Sequence, residues 1–141
     1  MFKLLYDLKD INDVAEKLNL FVKDCSIITF VGPLGAGKTT LIAALLEQRN
    51  LIDVVSSPTF AYVNNYTSRD GGHFFHFDLY RLDNIDQFIA AGFDEYLYQK
   101  GAIVLIEWPE IIEPLLMRMP HCKVAIDYVG EQRKLIAEKY E

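Results

Sequence analysis

The chain has 141 residues, 51% hydrophobic and 24% charged, with a net charge of −6; that is one domain with room for a real core. The acidic balance argues against unaided binding to nucleic acid, whose phosphates are met by clusters of Lys and Arg. The densest basic spots are Arg133-Lys134 and Lys139, near the C-terminus. Two cysteines, Cys25 and Cys122, are too few for a disulfide framework or a metal knuckle. They are expected as buried free thiols in a reducing compartment. The N-terminus, MFKLLYDLKD, lacks the apolar core of a signal peptide, and no stretch approaches the ~20 apolar residues of a membrane span. A cytoplasmic protein is expected.

In chain order, residues 2–8 read as a first strand. Asp10 or Asn12 can cap a helix whose apolar positions Ile11, Val14, Leu18 and Phe21 or Val22 recur every three to four residues. Residues 26–31 (SIITFV) form a β-branched apolar run that predicts a buried strand. GPLGAGKTT follows at residues 32–40 and matches the phosphate-cradling pattern in full: Gly32, four residues, then Gly37-Lys38-Thr39. The Leu- and Ala-rich stretch 39–48 then favours helix.

Each residue type in this loop has a physical reason. Glycines let the backbone take positive φ and approach a ligand without a Cβ in the way. Successive N–H groups then point inward, with the positive end of the new helix behind them. Lys38 supplies a mobile cation for the β- and γ-phosphates, and the Thr39 hydroxyl is placed to ligate Mg²⁺. Thr40 can hydrogen-bond the α-phosphate. A chain carrying this motif between a strand and a helix is expected to bind a nucleoside triphosphate.

Residues 53–57 read as a connector and residues 59–67 as an extended segment. The Asp-Gly step within residues 69–72 signals a tight turn, and residues 73–80 form the returning strand of an antiparallel hairpin. Residues 84–91 and 93–99 read as short helices split at Gly92. The most apolar strand, residues 102–106, ends at Glu107-Trp108-Pro109-Glu110, with Pro109 suited to open a helix to about residue 116. A second hairpin, 122–128 and 133–138, turns near Gly130. The expected fold is α/β: a P-loop NTPase-like domain whose mixed sheet carries antiparallel hairpins and is flanked by helices.

A Mg²⁺-nucleotide site also needs a carboxylate at the end of a neighbouring strand. Glu107 and Asp78 both have that position. The segment 56–59 can serve as a switch, with Thr59 on the γ-phosphate side, though from spacing alone it is a loop. Trp108 lies beside the presumed active carboxylate. His73 and His76 are three apart on one strand, so they face opposite sides and make no ligand pair. Arg81 either touches phosphate or braces its loop.

GPLGAGKTT, then SPTF at 57–60, HFDLYRL at 76–82 and IEWPE at 106–110 together resemble the bacterial TsaE family. The resemblance runs from about residue 10 to residue 135. It implies a small ATPase needed to make threonylcarbamoyladenosine in tRNA. By position it implies that Gly35, Ala36, Gly37, Lys38, Thr39 and Thr40 hold the ATP phosphates, and that Thr39 and Glu107 ligate Mg²⁺. Asp78 would help position water, Thr59 would act as a switch residue, Trp108 would neighbour the nucleotide, and Arg133 would lie against it. Lys38, Asp78 and Glu107 form the implied catalytic set. The implied partners are TsaB- and TsaD-like proteins, with tRNA met only through that complex; hydrolysis would reset the assembly between rounds. Pro33 and Ala61 depart from the family's usual residues and touch no assigned role.

Slow hydrolysis by the isolated chain is expected. It has five arginines and none in a Gly-rich lid, and a cation supplied in trans is worth ~10³–10⁵ in rate. A small-molecule kinase is the alternative enzyme, but it requires an acceptor pocket and an Arg-bearing lid. A nucleotide-dependent interaction module is the non-enzyme alternative. A GTPase is disfavoured by the absence of an Asn-Lys-x-Asp segment.

Overall fold

Alternating and fully apolar runs in the sequence become one seven-stranded sheet. The structure is a computed structural model that describes residues 1–52, 55 and 62–141. In chain order the elements are β1 (Phe2–Tyr6), α1 (Ile11–Phe21), β2 (Ile27–Val31), α2 (Lys38–Glu47), β3 (Val63–Thr67), β4 (His73–Asp78), α3 (Ile85–Ala90), α4 (Asp94–Leu97), β5 (Ala102–Glu107), α5 (Glu113–Leu116), β6 (His121–Val129) and β7 (Gln132–Tyr140). The strand order is β1-β7-β6-β2-β5-β4-β3. The central strands β6, β2, β5 and β4 run parallel, while β1, β7 and β3 pair antiparallel. This is the expected mixed sheet with two hairpins.

Strands buried on both faces are apolar along their whole length. In β2, Ile27 to Phe30 are all buried, and in β5 so are Val104 to Glu107. One face packs against α1 and α2 through Ile28, Phe30, Phe74 and Leu105, with Leu18, Leu41 and Leu45 opposite. The other packs Ile27, Phe75, Phe77 and Ile106 against Phe88, Leu97, Ile112 and Leu116 of the shorter helices. Period-two alternation in β4 thus sends Phe75 and Phe77 to one side and His76 and Asp78 to the other.

Several boundaries differ from the sequence reading. The first strand stops at Tyr6, and a 3₁₀ turn over Leu8–Asp10 precedes α1. Asp10 stands at the N-cap of α1 without a side-chain capping bond, whereas Asn84 does cap α3, accepting from the Gln87 N–H at 2.9 Å. The predicted helix after Pro109 is a 3₁₀ turn, Pro109–Ile112, followed by the single turn of α5. Both hairpin turns are where Gly punctuation put them, with Gly71 at φ 91° and Gly130 at φ 60°. Cys122 is buried and Cys25 half-buried, both as free thiols. No helix among the described residues is long and apolar enough to cross a membrane. Thr59 and the switch segment 56–59 lie outside the described residues.

Candidate functional site

The loop between β2 and α2 emerges at the carboxyl end of the parallel strands, where α/β sheets bind ligands. Two glycines are required by its path. Gly37 has φ 101° and ψ 24° at the N-cap of α2, a left-handed conformation that a side chain disfavours. A Cβ on Gly32 would run into the Ile126 carbonyl of β6. The first N–H groups of the ten-residue α2 lack intrahelical partners and face this loop.

Lys38, only 5% exposed, folds back over the loop. Its Nζ donates to the Gly32 carbonyl at 2.5 Å and the Pro33 carbonyl at 3.1 Å, and lies 3.9 Å above the Trp108 ring. Burial pulls its pKa below the ordinary lysine value, while Glu107, Glu110 and Asp78 pull the other way. The ammonium is thus held by two neutral carbonyls and an aromatic face, partners weaker than an anion would be.

Glu107 closes β5 at 2% exposure. Its Oε1 accepts the Thr39 hydroxyl at 2.7 Å and its Oε2 meets His76 Nε2 at 2.6 Å. With the ring hydrogen on Nε2, His76 donates to this oxygen. Both oxygens are anchored, one through β4 and one through α2. Asp78 stands directly across from Glu107 in the parallel β4–β5 register and accepts the Tyr80 N–H at 3.0 Å. Burial raises its pKa above the usual aspartate value, and the nearby Glu107 charge adds to that; the Tyr80 N–H, His76 and Lys38 oppose it.

Trp108 takes a left-handed backbone at φ 57°, which turns its ring back over Lys38 and against Tyr80, 4.8 Å between centroids. A cleft of about 270 Å³ results, lined by Leu34, Gly35, Gly37 to Thr40, Asp78, Tyr80, Glu107 and Trp108. Its volume suits a polyphosphate tail better than a wholly enclosed nucleotide. A larger hollow of about 520 Å³ lies between α5 and the start of β6, lined by Thr29, Glu113, His121 and Tyr140 among others. It lacks the loop and the paired carboxylates, so size alone does not make it the site.

The structure therefore brings Gly35, Gly37, Lys38, Thr39, Thr40, Asp78, Glu107 and Trp108 to one cleft. Ala36 is fully buried and offers the loop its backbone only. Arg133 stands behind the loop, with Nε donating to the Ala36 carbonyl at 3.2 Å. His76, Tyr80 and Tyr128 were missing from the sequence-derived set. In β4, His73 is exposed and His76 buried. The partnership of His76 with Glu107 depends on the β4–β5 register, which spacing within β4 does not reveal.

Residues 5–136 match the family model described as threonylcarbamoyl adenosine biosynthesis protein TsaE. The chain belongs to the TsaE family. The Bacillus subtilis protein named tRNA threonylcarbamoyladenosine biosynthesis protein TsaE is 32% identical over 124 residues, which is 87% of this chain and 75% of that protein. Its namesake in Aquifex aeolicus is 36% identical over 110 residues, covering 75% and 74% of the two chains, and that in Haemophilus influenzae is 34% identical over 118 residues, covering 84% and 73%. Among solved structures, the crystal structure of Bacillus subtilis YdiB superposes with a TM-score of 0.69 at 25% identity, over 98% of this chain and 85% of that one. The fold of this TsaE-family chain is accordingly P-loop NTPase-like, and family and fold together point to nucleotide binding or hydrolysis.

Proposed function

We propose that this chain is an ATP-binding and ATP-hydrolysing subunit of tRNA threonylcarbamoyladenosine synthesis. The Thr39–Glu107 hydrogen bond of 2.7 Å carries this reading. It couples the hydroxyl of the phosphate loop to a buried strand-end carboxylate, the pair that a Mg²⁺-nucleotide requires. The donor set suits Mg²⁺, which binds through one or two carboxylates and the phosphates and keeps several waters. Thr39 and Glu107 would hold the ion; bound there, Mg²⁺ supplies charge neutralisation on the phosphate oxygens.

The chain's own groups divide the remaining work. Loop amides from Gly35 to Thr40 bind the phosphates, and Lys38 leaves its carbonyl partners to meet them. Glu107 fixes the Thr39 hydroxyl, with His76 fixing Glu107 in turn. Asp78, whose carboxylate accepts the Tyr80 N–H at 3.0 Å, orients the attacking water. The Trp108 and Tyr80 rings screen the cleft. Among the described residues lining it, Lys38 is the one cation, in keeping with slow turnover by the chain alone and completion of the site by partners. We assign those partners as TsaB- and TsaD-like proteins, with tRNA reached through them, in the cytoplasm.

ATP hydrolysis should be measured with and without the TsaB- and TsaD-like proteins of the same organism. Stimulation of roughly tenfold or more is expected, and Glu107→Ala should abolish it. Equal rates with and without partners would contradict the assignment, and transfer of label from ATP to a metabolite would favour a kinase instead.

A further inference from the structure

We infer that Tyr128 and Arg133, on the C-terminal hairpin, are positioning residues that set the shape of the phosphate loop. The inference rests on the reading that this loop binds phosphate. The tip of the β6–β7 hairpin runs along the outer side of the loop and touches it three times. The Ile126 carbonyl sits where a Gly32 side chain would be. The Tyr128 hydroxyl donates to the Leu34 carbonyl at 3.0 Å, and Arg133 Nε donates to the Ala36 carbonyl at 3.2 Å. Nothing larger than hydrogen fits at Gly35 without pressing on the same hydroxyl, 2.9 Å from an added Cβ.

The two hairpin side chains are themselves held. The Arg133 guanidinium lies 4.3 Å over the Tyr128 ring, and its Nη1 donates to the Glu131 and Gln132 carbonyls of the hairpin turn, both at 3.3 Å. Arg133 is 9% exposed. Its planar fork is therefore fixed before it reaches the loop, which a flexible lysine cannot match.

Peptide geometry gives the consequence. Every described peptide is trans, so a C=O and the N–H of the next residue point in opposite directions. Drawing the Leu34 and Ala36 carbonyls toward the hairpin turns the Gly35 and Gly37 N–H groups away from it, into the cleft those glycines line. Released, either peptide is free to flip. The flip would replace a donor with a carbonyl oxygen facing an anion. Tyr128 and Arg133 thus act on phosphate through alternate peptides of the loop, and neither needs to touch the ligand. They are positioning residues and not catalytic ones.

This separates a loop-shaping Arg133 from one that contacts the nucleoside. Wild type, Tyr128→Phe and Arg133→Met should be titrated calorimetrically with ATP and with inorganic tripolyphosphate, both with Mg²⁺, and ¹H–¹⁵N spectra recorded without ligand. Both variants are expected to weaken both ligands by a similar factor, roughly three- to tenfold, the weight of one hydrogen bond. The Gly35 and Gly37 amide resonances should move in the ligand-free spectra while the rest of the sheet keeps its positions. Tyr128→Phe removes a single surface hydroxyl and keeps the test available if Arg133→Met fails to fold. Loss of ATP affinity with tripolyphosphate unchanged would overturn the inference in favour of direct nucleoside contact. Unchanged affinities and unmoved Gly35 and Gly37 amides would overturn it outright. Failure of the wild type to bind either ligand would refute the nucleotide reading instead, and the amide shifts alone would then decide whether the hairpin shapes the loop.

Discussion

Replacing His76 by Phe tests how the site's central carboxylate is held. His76 is fully buried, and its Nε2 lies 2.6 Å from Glu107 Oε2. Phe fills similar space and removes the donor, leaving a buried carboxylate oxygen unmatched. Hydrogen bonds to charged groups are worth about 1.5–3 kcal/mol. Part of that loss is offset, because His76 Nδ1 has no partner among the described residues and its desolvation is relieved. A net loss of about 1–2 kcal/mol follows, lowering Tm by roughly 3–8 °C at this chain length. The assay is thermal unfolding of a double-mutant cycle with Glu107→Gln, which removes the charge that makes the bond strong. The two changes should couple by about 1 kcal/mol, His76→Phe costing less once residue 107 offers only a neutral amide. Additive losses would show that His76 is an ordinary buried residue with no hold on Glu107.

Three further outcomes follow from the same geometry. Asp78→Asn should raise Tm by roughly 1–3 °C near pH 7, since burial disfavours the ionised carboxylate, while sharply reducing hydrolysis. Asp78 binds its proton more tightly in the folded state, so the gap should close as pH falls through its raised pKa; a gap independent of pH would contradict the assignment. Cys122 is pushed up to about 12 from its ordinary value of 9.0, chiefly by burial, so above pH 9 the unfolded thiol ionises while the folded one does not. Unfolding free energy should fall by up to about 1.4 kcal/mol per pH unit there, and denaturant titrations should find that this slope is reduced in Cys122→Ala. Gly32→Ala drives a methyl group into the Ile126 carbonyl and should cost about 1–3 kcal/mol and weaken nucleotide binding; wild-type stability and affinity would refute the close approach of loop and hairpin.

Much of this was legible in the chain because local rules and the global fold agree. GPLGAGKTT specifies a strand, a loop and a helix at once, and 27–31, 38–47 and 102–107 form where the apolar runs place them. Asp78 and Glu107 were identifiable as strand-end acids, and the register brings them side by side. What the sequence did not give depends on neighbours far along the chain. His76 looked unremarkable until β4 paired with β5. Tyr128 and Arg133 meet the loop nearly 100 residues away through the β2–β6 pairing. The 3₁₀ turn after Trp108 replaces a predicted α-helix because Pro114 has no N–H to donate back to the Glu110 carbonyl, which accepts from Glu113 instead.

Calorimetric titration of Mg·ATP tests most directly whether residues 32–40 grip a magnesium-bound triphosphate. One site per chain is expected in the wild type, with affinity reduced tenfold or more in Lys38→Ala, the order of one lost charge-assisted contact. No heat of binding, or identical titrations for the two proteins, would contradict it.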